Sequence, residues 1–442
     1  MSLALRASLR FIPTAAFCAA LAGLPAESVA QRERTIPDSL TDREFWSLFT
    51  TLSEEGGSFP SENFVSNEKT YQYVIPALQR TLTPHGVYLG VGPEQNFTYI
   101  VNLEPRLAVI FDIRRQNAML HLMYKALFEL SPSRVEFVSR LFSRPLPRLL
   151  ATTATPAEIF GALSATVVSD SAFDANWKAI VHRLTVTRGF PMSADDIASM
   201  RRVFEAFREA GPDISYAFRL GSPPPSVTAW HVTYAQLQTL GNADSVNMAF
   251  LSTEERYTRL RAIERRNLVV PVVGDFAGSK AIRGVGEYLK QRNALVTAFY
   301  TSNVEQYLFI SRSDERFYRN VEALPIDSTS MFIRSLPPSP NPMVTVPQLF
   351  GPLPSNLSNL SVRVTDSSGM RILIAAGVDS SGKVVTTRIV APAPPATLAS
   401  TSAFISGIAT INRVLGAFVS GQLKTYEQLT AMTKTGEWKS PP

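Results

Sequence analysis

Cysteine is almost absent from this sequence. The only one among 442 residues is Cys18, which lies in an apolar stretch near the N-terminus. If that stretch is removed on export, the mature chain has no disulfide, no thiol nucleophile and no cysteine-ligated metal. Phe17, directly before Cys18, is too bulky for a lipoprotein cleavage site.

Histidine and clustered positive charge are also scarce. The four histidines are scattered and form no H-E-x-x-H pattern, so we expect no metal site. The net charge is only +6, without a run of Lys or Arg, and we expect no nucleic-acid partner. The G-x-S-x-G pattern of serine hydrolases is missing at the first strand.

The first 30 residues predict a signal peptide. Arg6 and Arg10 precede an apolar run from Phe11 to Leu24, and Ser28-Val29-Ala30 offers small residues for cleavage. We therefore expect an exported protein, periplasmic or extracellular. An uncleaved anchor or a misassigned start codon are the alternatives. No other apolar run approaches membrane-spanning length, so no transmembrane segment is expected in the mature chain.

Strands and helices alternate in two separate stretches of the chain. The predicted strands are Val87–Val91, Leu107–Ile113, Asn267–Phe276, Ala294–Asn303 and Ser328–Leu336. This alternation predicts an α/β fold with a doubly wound, parallel sheet. Residues 131–266 are mostly helical and broken by proline-rich segments, which indicates an insertion between the second and third strands.

The resulting domain organisation has four parts. They are a signal peptide (1–30), an N-terminal helical segment (31–85), a Rossmann-like domain (86–345) with its helical insertion (131–266), and a C-terminal extension (346–442). In the extension, Met370–Val390 predicts a hairpin that turns at residues 379–382, after a linker. Phe404–Thr433 is expected to be helical.

A glycine turn follows the first strand. Gly90 and Gly92 allow close approach of the backbone to a ligand, but Gln95 stands where a dinucleotide fingerprint has its third glycine. Asp112 ends the second strand, where a carboxylate can accept from both ribose hydroxyls, and Asp275 follows a later strand, where it can accept from an adenine amino group. These features favour a nucleoside without a diphosphate. Taken singly, the glycines more often form a tight turn, and an acid such as Asp112 is more often a surface cap.

The motifs "YLGVGPEQN" and "VVGDF", together with Asp112, resemble those of Rossmann-type S-adenosylmethionine-dependent methyltransferases. The stretches "GVGPEQNFTYI", "DIRRQN", "GDFAG" and "SNVEQYLF" are similar to an uncharacterised bacterial family. The resemblance covers roughly half the chain and implies S-adenosylmethionine as the cofactor, without a metal. It implies a binding set of Gly90, Gly92, Glu94, Asn96, Asp112, Ile113, Gly274, Asp275 and Phe276. The chain departs from the methyltransferase pattern where Glu94, Gln95 and Asn96 replace small residues.

Methyl transfer depends mainly on alignment of the nucleophile with the methyl carbon, so no catalytic triad is required. Candidates for a base or for a substrate contact are Tyr300, Asn303, Glu305 and Glu62, and the alternative for each is a structural hydrogen bond. The loop from Ser53 to Glu68 is rich in acids, amides and glycines. Its composition is compatible with a lid over the pocket and with a plain surface loop.

The sequence therefore predicts a methyltransferase-like protein that binds S-adenosylmethionine or a related nucleoside, with the methyl acceptor open. Export conflicts with this prediction, because S-adenosylmethionine is made in the cytoplasm. The alternative is an exported, non-catalytic protein that binds another small molecule, or serves as a scaffold, on the same fold.

Overall fold

The computed structural model of the chain describes residues 35–59, 61–145, 150–222, 232–336, 358–367, 370–378, 383–392 and 404–435. The predicted signal peptide, most of the predicted linker and the predicted hairpin turn at 379–382 lie outside these residues. No helix in the described ranges is both long and apolar enough to cross a membrane.

Nine strands lie within the described residues. They are β1 (Val87–Val91), β2 (Leu107–Asp112), β3 (Val269–Val273), β4 (Val296–Ser302), β5 (Met331–Leu336), β6 (Ser358–Ser367), β7 (Met370–Val378), β8 (Val384–Pro392) and β9 (Ile405–Thr410). Every residue of β2, β3 and β5 is buried. Burial on both faces is what continuous apolar runs predict for strands of a parallel sheet.

A six-stranded, mostly parallel sheet has the strand order β3-β2-β1-β4-β5-β9. β2 pairs with β3 in parallel, with Asp112 opposite Val273, so strands separated by the whole insertion are neighbours in the sheet. β1 lies between β2 and β4, and the strand order reverses at this point. The chain is thus an α/β protein compatible with a Rossmann-like fold, and its ligand crevice is expected at the carboxyl ends of β1 and β4.

The helical prediction for the C-terminal region is wrong at its start. Ile405–Thr410 forms β9, which pairs antiparallel with β5. Two helices follow, α14 (Ile411–Val419) and α15 (Tyr426–Ala431), as predicted for the rest of the segment. A short apolar run does not distinguish a strand from the beginning of a helix, and long-range pairing with β5 decides this one.

A second, three-stranded sheet has the order β6-β7-β8. β7 and β8 pair antiparallel, which confirms the predicted hairpin strands. β6 begins at Ser358, inside the stretch interpreted as a linker, and pairs antiparallel with β7.

Thirteen α-helices of the described residues precede the C-terminal pair. They are α1 (Asp42–Leu52), α2 (Ile75–Thr81), α3 (Gln95–Leu103), α4 (Arg115–Leu130), α5 (Arg134–Leu141), α6 (Pro156–Ser164), α7 (Asp170–His182), α8 (Ala194–Ala210), α9 (Tyr234–Thr239), α10 (Glu254–Arg265), α11 (Ala281–Lys290), α12 (Val304–Ile310) and α13 (Asp314–Glu322). Short 3-10 helices span Tyr71–Val74 and Gly211–Asp213, and one π turn spans Arg183–Thr187.

The insertion packs on the sheet domain through aromatic rings. Phe97 of α3 meets Tyr124 and Phe128 of α4 edge to face, with ring centroids 5.2 and 5.3 Å apart. From the insertion, Phe137 of α5 stacks on Phe128 at 4.6 Å and Phe250 meets Phe97 at 5.5 Å. Each such pair contributes about 0.5–1.5 kcal/mol in addition to the free energy of burying its apolar surface. The insertion is therefore packed firmly against α3 and α4.

Candidate functional site

The glycine turn after β1 is present and requires its glycine. Gly92 has φ +78°, a left-handed conformation that residues with a Cβ rarely adopt. Its carbonyl oxygen accepts from Asn117 Nδ2 at 3.2 Å and from His121 Nε2 at 2.8 Å. Burial lowers the pKa of His121 to about 4, so the ring is neutral and its Nε2–H donates to this carbonyl.

The space beside Gly90 is filled by a side chain of the protein itself. A Cβ at Gly90 would collide with Asn96 Oδ1, which also accepts from the Tyr88 hydroxyl at 2.8 Å. The Asn96 amide nitrogen donates to the carbonyls of Val91 at 2.9 Å and Pro93 at 2.7 Å. Gly90 therefore gives room to Asn96, and Asn96 fixes the turn rather than facing an open pocket.

The predicted ribose acceptor, Asp112, is bound by an arginine. Arg114 Nε donates to Asp112 Oδ1 at 3.0 Å, and its Nη2 donates to Oδ2 at 2.7 Å. The backbone N–H of Arg114 also donates to Oδ1, at 2.8 Å. Both side chains are buried, so this two-pronged pair lies in a dry environment where each charge needs the other.

Three residues of the predicted binding set follow β3 directly: Gly274, the adenine-binding candidate Asp275, and Phe276. Asp275 Oδ1 accepts from the backbone N–H of Ala277 at 2.9 Å and so closes a local turn. Gly274 donates to the Asp112 carbonyl at 2.9 Å. Phe276 is buried and stacks on Phe317 at 5.3 Å, which places its ring in the core.

The loop predicted as a lid or a surface loop lies across this edge of the sheet. We call residues 53–59 and 61–68 the strap. It contacts the residues at the ends of four neighbouring strands through the pairs Glu54–Val273, Gly57–Ile113, Ser66–Glu94 and Glu68–Tyr300. The strap therefore covers the carboxyl edge where the ligand crevice is expected.

The strap is anchored at its start by a carboxylate. Glu54 accepts from the backbone N–H groups of Lys280 at 2.8 Å, Ala281 at 2.7 Å and Asp275 at 3.3 Å. These donors surround the N-terminus of α11, where free N–H groups and the helix dipole favour an anion. The next anchor is the Gly57 N–H, which donates to the Ile113 carbonyl at 2.7 Å.

At its other end the strap contributes an acid that the sequence did not indicate as a site residue. Glu68 is 2% exposed and accepts from the Tyr300 hydroxyl at 2.7 Å, Ser302 Oγ at 2.5 Å and Gln95 Nε2 at 3.0 Å. Burial raises the pKa of Glu68 in spite of these donors. Ser302 has φ +52°, a strained conformation at the end of β4. Tyr300, a predicted catalytic candidate, thus belongs to a buried polar cluster at the switch point.

A second buried acid lies at the start of α3. Glu94 is fully buried; its Oε1 accepts from the Ser66 N–H at 3.3 Å, and its Oε2 has no hydrogen-bond partner among the described residues. Burial raises the pKa of Glu94 to about 8. Ser66 Oγ also bonds Gln95 Oε1, and Gln95 reaches Glu68, so the two acids are connected. Glu94 therefore holds a proton near neutral pH.

Glu305, a predicted base candidate, is part of a buried ion pair. Its carboxylate accepts from Arg334 Nε at 2.6 Å and Nη2 at 2.9 Å, from the Tyr318 hydroxyl at 2.8 Å and from Thr301 Oγ1 at 3.0 Å. Glu305 and Arg334 side chains are 2% and 1% exposed. Each carboxylate oxygen of Glu305 already accepts two hydrogen bonds. Glu305 therefore fits a structural role and not that of a base that faces a substrate.

The remaining candidates lie nearer the surface. Glu62, in the strap, accepts from Gln116 Nε2 at 3.0 Å and from Arg202 Nη2 at 2.9 Å, which joins the strap to α4 and α8. Although burial raises the pKa of Glu62, these two donors outweigh it and the pKa is lowered. Asn303 precedes α12 and is half-buried, beside Ser302.

The structure thus brings together Gly92, Asp112, Ile113, Asp275, Glu62 and Tyr300 along one edge, and leaves Glu305 in its separate ion pair. Sequence reasoning missed Arg114 and Glu68. The sequence does contain a signal for Arg114. An aspartate often accepts from the backbone N–H two residues later, as Asp112 does from Arg114, and this turn brings the Arg114 side chain back to the carboxylate. Glu68 has no comparable local signal.

In the described part of the chain no group of three or more His, Cys, Asp or Glu is placed to hold a metal ion.

The fold and this site define an α/β protein with a buried polar cluster beneath the strap, at the switch point of a mostly parallel sheet. The chain belongs to the family described as Domain of unknown function (DUF7790), whose model matches residues 63–145 and 158–380, more than half of the sequence. The match includes β1 to β5 and the last six residues of the strap, 63–68. A comparison with curated proteins finds no match.

Proposed function

We propose that this protein is methyltransferase-like and binds S-adenosylmethionine or a related nucleoside at the carboxyl edge of the sheet. The observation that carries the proposal is the placement of Gly92, Asp112 and Asp275 after β1, β2 and β3, which are adjacent strands. A glycine turn beside an acid on the next strand matches the way α/β folds hold a ribose. The methyl acceptor is left open.

The described arrangement is a closed one, and a ligand needs the strap to move. Asp112 Oδ1 already accepts two hydrogen bonds from Arg114, so a ribose diol that uses both carboxylate oxygens has to displace the Arg114 side chain. Arg114 also binds the strap carbonyls of Ser61 and Glu62. The residues fit a ribose once that side chain is displaced, since Asp112 then offers two buried oxygens. When bound, S-adenosylmethionine supplies an electrophilic methyl group.

The switch-point cluster lies where a methyl acceptor would be aligned. Tyr300 and Glu68 are joined by a 2.7 Å hydrogen bond at the end of β4, the strand beside the glycine turn. Burial raises the pKa of both groups, which favours their neutral forms. With the Glu68 carboxyl and the Tyr300 hydroxyl both protonated, the pair retains its protons, which suits the positioning of a polar acceptor group more than the removal of a proton from it.

We also propose export to the periplasm or beyond, on the basic and apolar N-terminal residues and the Ser28-Val29-Ala30 ending. Export and a cytoplasmic cofactor are in tension. The proposal therefore extends to other adenosine-containing small molecules, with no nucleic-acid partner expected.

The test is native mass spectrometry of the mature chain, followed by calorimetry with S-adenosylmethionine and S-adenosylhomocysteine. A hydrogen bond to a charged group contributes about 1.5–3 kcal/mol, so Asp112→Ala should weaken binding on the order of 10- to 100-fold, and Asp112→Asn less. Asp195→Ala, which removes an exposed acid of α8, is the matched control. Because Asp112 neutralises a buried arginine, thermal unfolding must show that each variant is folded.

The proposal fails if no nucleoside co-purifies and the wild type gives no heat with either ligand at millimolar concentration. Equal weakening by Asp195→Ala and Asp112→Ala would also reject the assigned site.

A second candidate function, a non-catalytic scaffold or a binder of another ligand, is favoured by a specific observation. The groups predicted to contact the ligand already have partners inside the protein: Arg114 on Asp112, Asn96 beside Gly90, and Ala277 on Asp275. A strap that stays closed in hydrogen exchange at millimolar nucleoside would favour this candidate.

A further inference from the structure

One arginine joins the candidate ligand site to the strap. The Nε and Nη2 atoms of Arg114 form a fork on the Asp112 carboxylate, and its Nη1 donates to the carbonyls of Ser61 at 2.9 Å and Glu62 at 2.5 Å. A planar guanidinium presents these donors in fixed directions, so both sets of contacts depend on a single orientation of the group.

Burial leaves the Arg114 guanidinium two alternatives: it pairs with Asp112, or it leaves the buried position. Arg114 and Asp112 are 7% and 5% exposed, and the guanidinium carbon lies 5.7 Å from the centre of the Phe59 ring. A buried cation that loses its carboxylate partner is strongly disfavoured. If Asp112 takes another partner, Arg114 has to leave the buried position, and it then releases Ser61 and Glu62 as well.

We propose that Arg114 is a latch, a positioning residue that holds the strap closed while Asp112 has no ligand, and that a ribose diol on Asp112 releases it. The second half of this inference rests on the proposed function, because a ribose needs the same two carboxylate oxygens that Arg114 now occupies. The ligand and Arg114 compete for one acceptor, so ligand entry and strap opening are a single event.

The other anchors of the strap limit how far it opens. Glu54 is held at the N-terminus of α11, and the Ser66 N–H donates to the buried Glu94. Phe64 is 2% exposed and adds an apolar anchor before Ser66. The Glu62 carboxylate also stays bound to Gln116 and Arg202, so release of Arg114 frees chiefly the part of the strap after Glu54 that contains Gly57.

The latch is tested without any ligand by hydrogen exchange of the wild type, Arg114→Gln and Arg114→Lys. In both variants the amide of Gly57, which donates to the Ile113 carbonyl, should exchange at least about tenfold faster, because the neighbouring charge-assisted bonds are lost. The amides of Glu54 and Ser66 should keep their wild-type rates. Arg114→Lys keeps a positive charge beside Asp112, so it still tests the latch if Arg114→Gln does not fold.

The matched control is Arg115→Ala. Arg115 is the next residue along the chain and pairs with Asp196 through Nε at 2.6 Å and Nη2 at 2.8 Å, with no hydrogen bond to Asp112 or the strap carbonyls. If Gly57 exchanges no faster in the Arg114 variants than in Arg115→Ala, the latch is rejected. If Glu54 and Ser66 speed up as much as Gly57, the effect is global and the latch is also rejected.

The competition is tested by calorimetry with S-adenosylhomocysteine and with adenine, which has no ribose. Arg114→Gln should bind S-adenosylhomocysteine about tenfold more tightly than the wild type, and the gain for adenine, which has no diol to compete for Asp112, should be smaller. Unchanged or weaker S-adenosylhomocysteine binding would overturn the competition. If neither protein binds either probe, the proposed function fails and the ribose coupling with it, while exchange at Gly57 still decides whether Arg114 is a latch.

Discussion

The ion pair between Glu305 and Arg334 gives a strong test of the distinction between structural and catalytic acids in this protein. Glu305→Ala removes the carboxylate that accepts from Arg334 and from the Tyr318 hydroxyl. Among the described residues, the guanidinium, 1% exposed, would keep only a 3.4 Å hydrogen bond to Thr433 Oγ1 and the face of the Phe332 ring at 4.3 Å. Breaking a buried pair by removing one partner costs about 3–5 kcal/mol, and we expect a loss of this size in the free energy of unfolding.

The assay is urea unfolding of the wild type, Glu305→Ala and the double variant Glu305→Met with Arg334→Met. Since the double variant removes both charges and fills the space with apolar atoms, it should recover most of the loss. Glu315→Ala is the control, because its 4.0 Å pair with Arg319 is exposed and should contribute less than about 1 kcal/mol. A loss in Glu305→Ala no larger than in this control, or a double variant as unstable as Glu305→Ala, would refute the reasoning.

Three further predictions concern other parts of the chain. The pKa of Glu94 is about 8 in the folded chain against an ordinary 4.5, so the folded state holds the extra proton and the free energy of unfolding should fall as pH rises between about 4.5 and 8. Glu94→Gln should flatten that fall, as urea midpoints at pH 5 and 8 would show. Gly90→Ala should lower stability by about 1–3 kcal/mol because its Cβ collides with Asn96 and Tyr88, as the same urea assay would show. N-terminal sequencing of the protein from its host should find cleavage after Ala30, and an intact Met1 on cytoplasmic protein would contradict export.

The local patterns of the sequence were sufficient to place most elements of the sheet. The sequence predicts β1 at Val87–Val91, and the strand is observed there. Continuous apolar runs and helical spacing depend only on near neighbours in the chain, so they can be read without knowledge of the fold. The β9 strand was missed because its identity depends on hydrogen bonds to β5, about 70 residues earlier.

The candidate site divides in the same way. The sequence by itself determined that Gly92 turns the chain and that Asp112 ends a buried strand, because both follow from residue type and strand position. Only the tertiary structure decided what these groups contact. Arg114 pairs with Asp112, the strap covers the carboxyl edge of the sheet, and Glu68 bonds Tyr300 across 232 residues of sequence. Such partners are selected by packing and by the need of buried polar groups for hydrogen bonds, and these requirements arise only when distant segments meet.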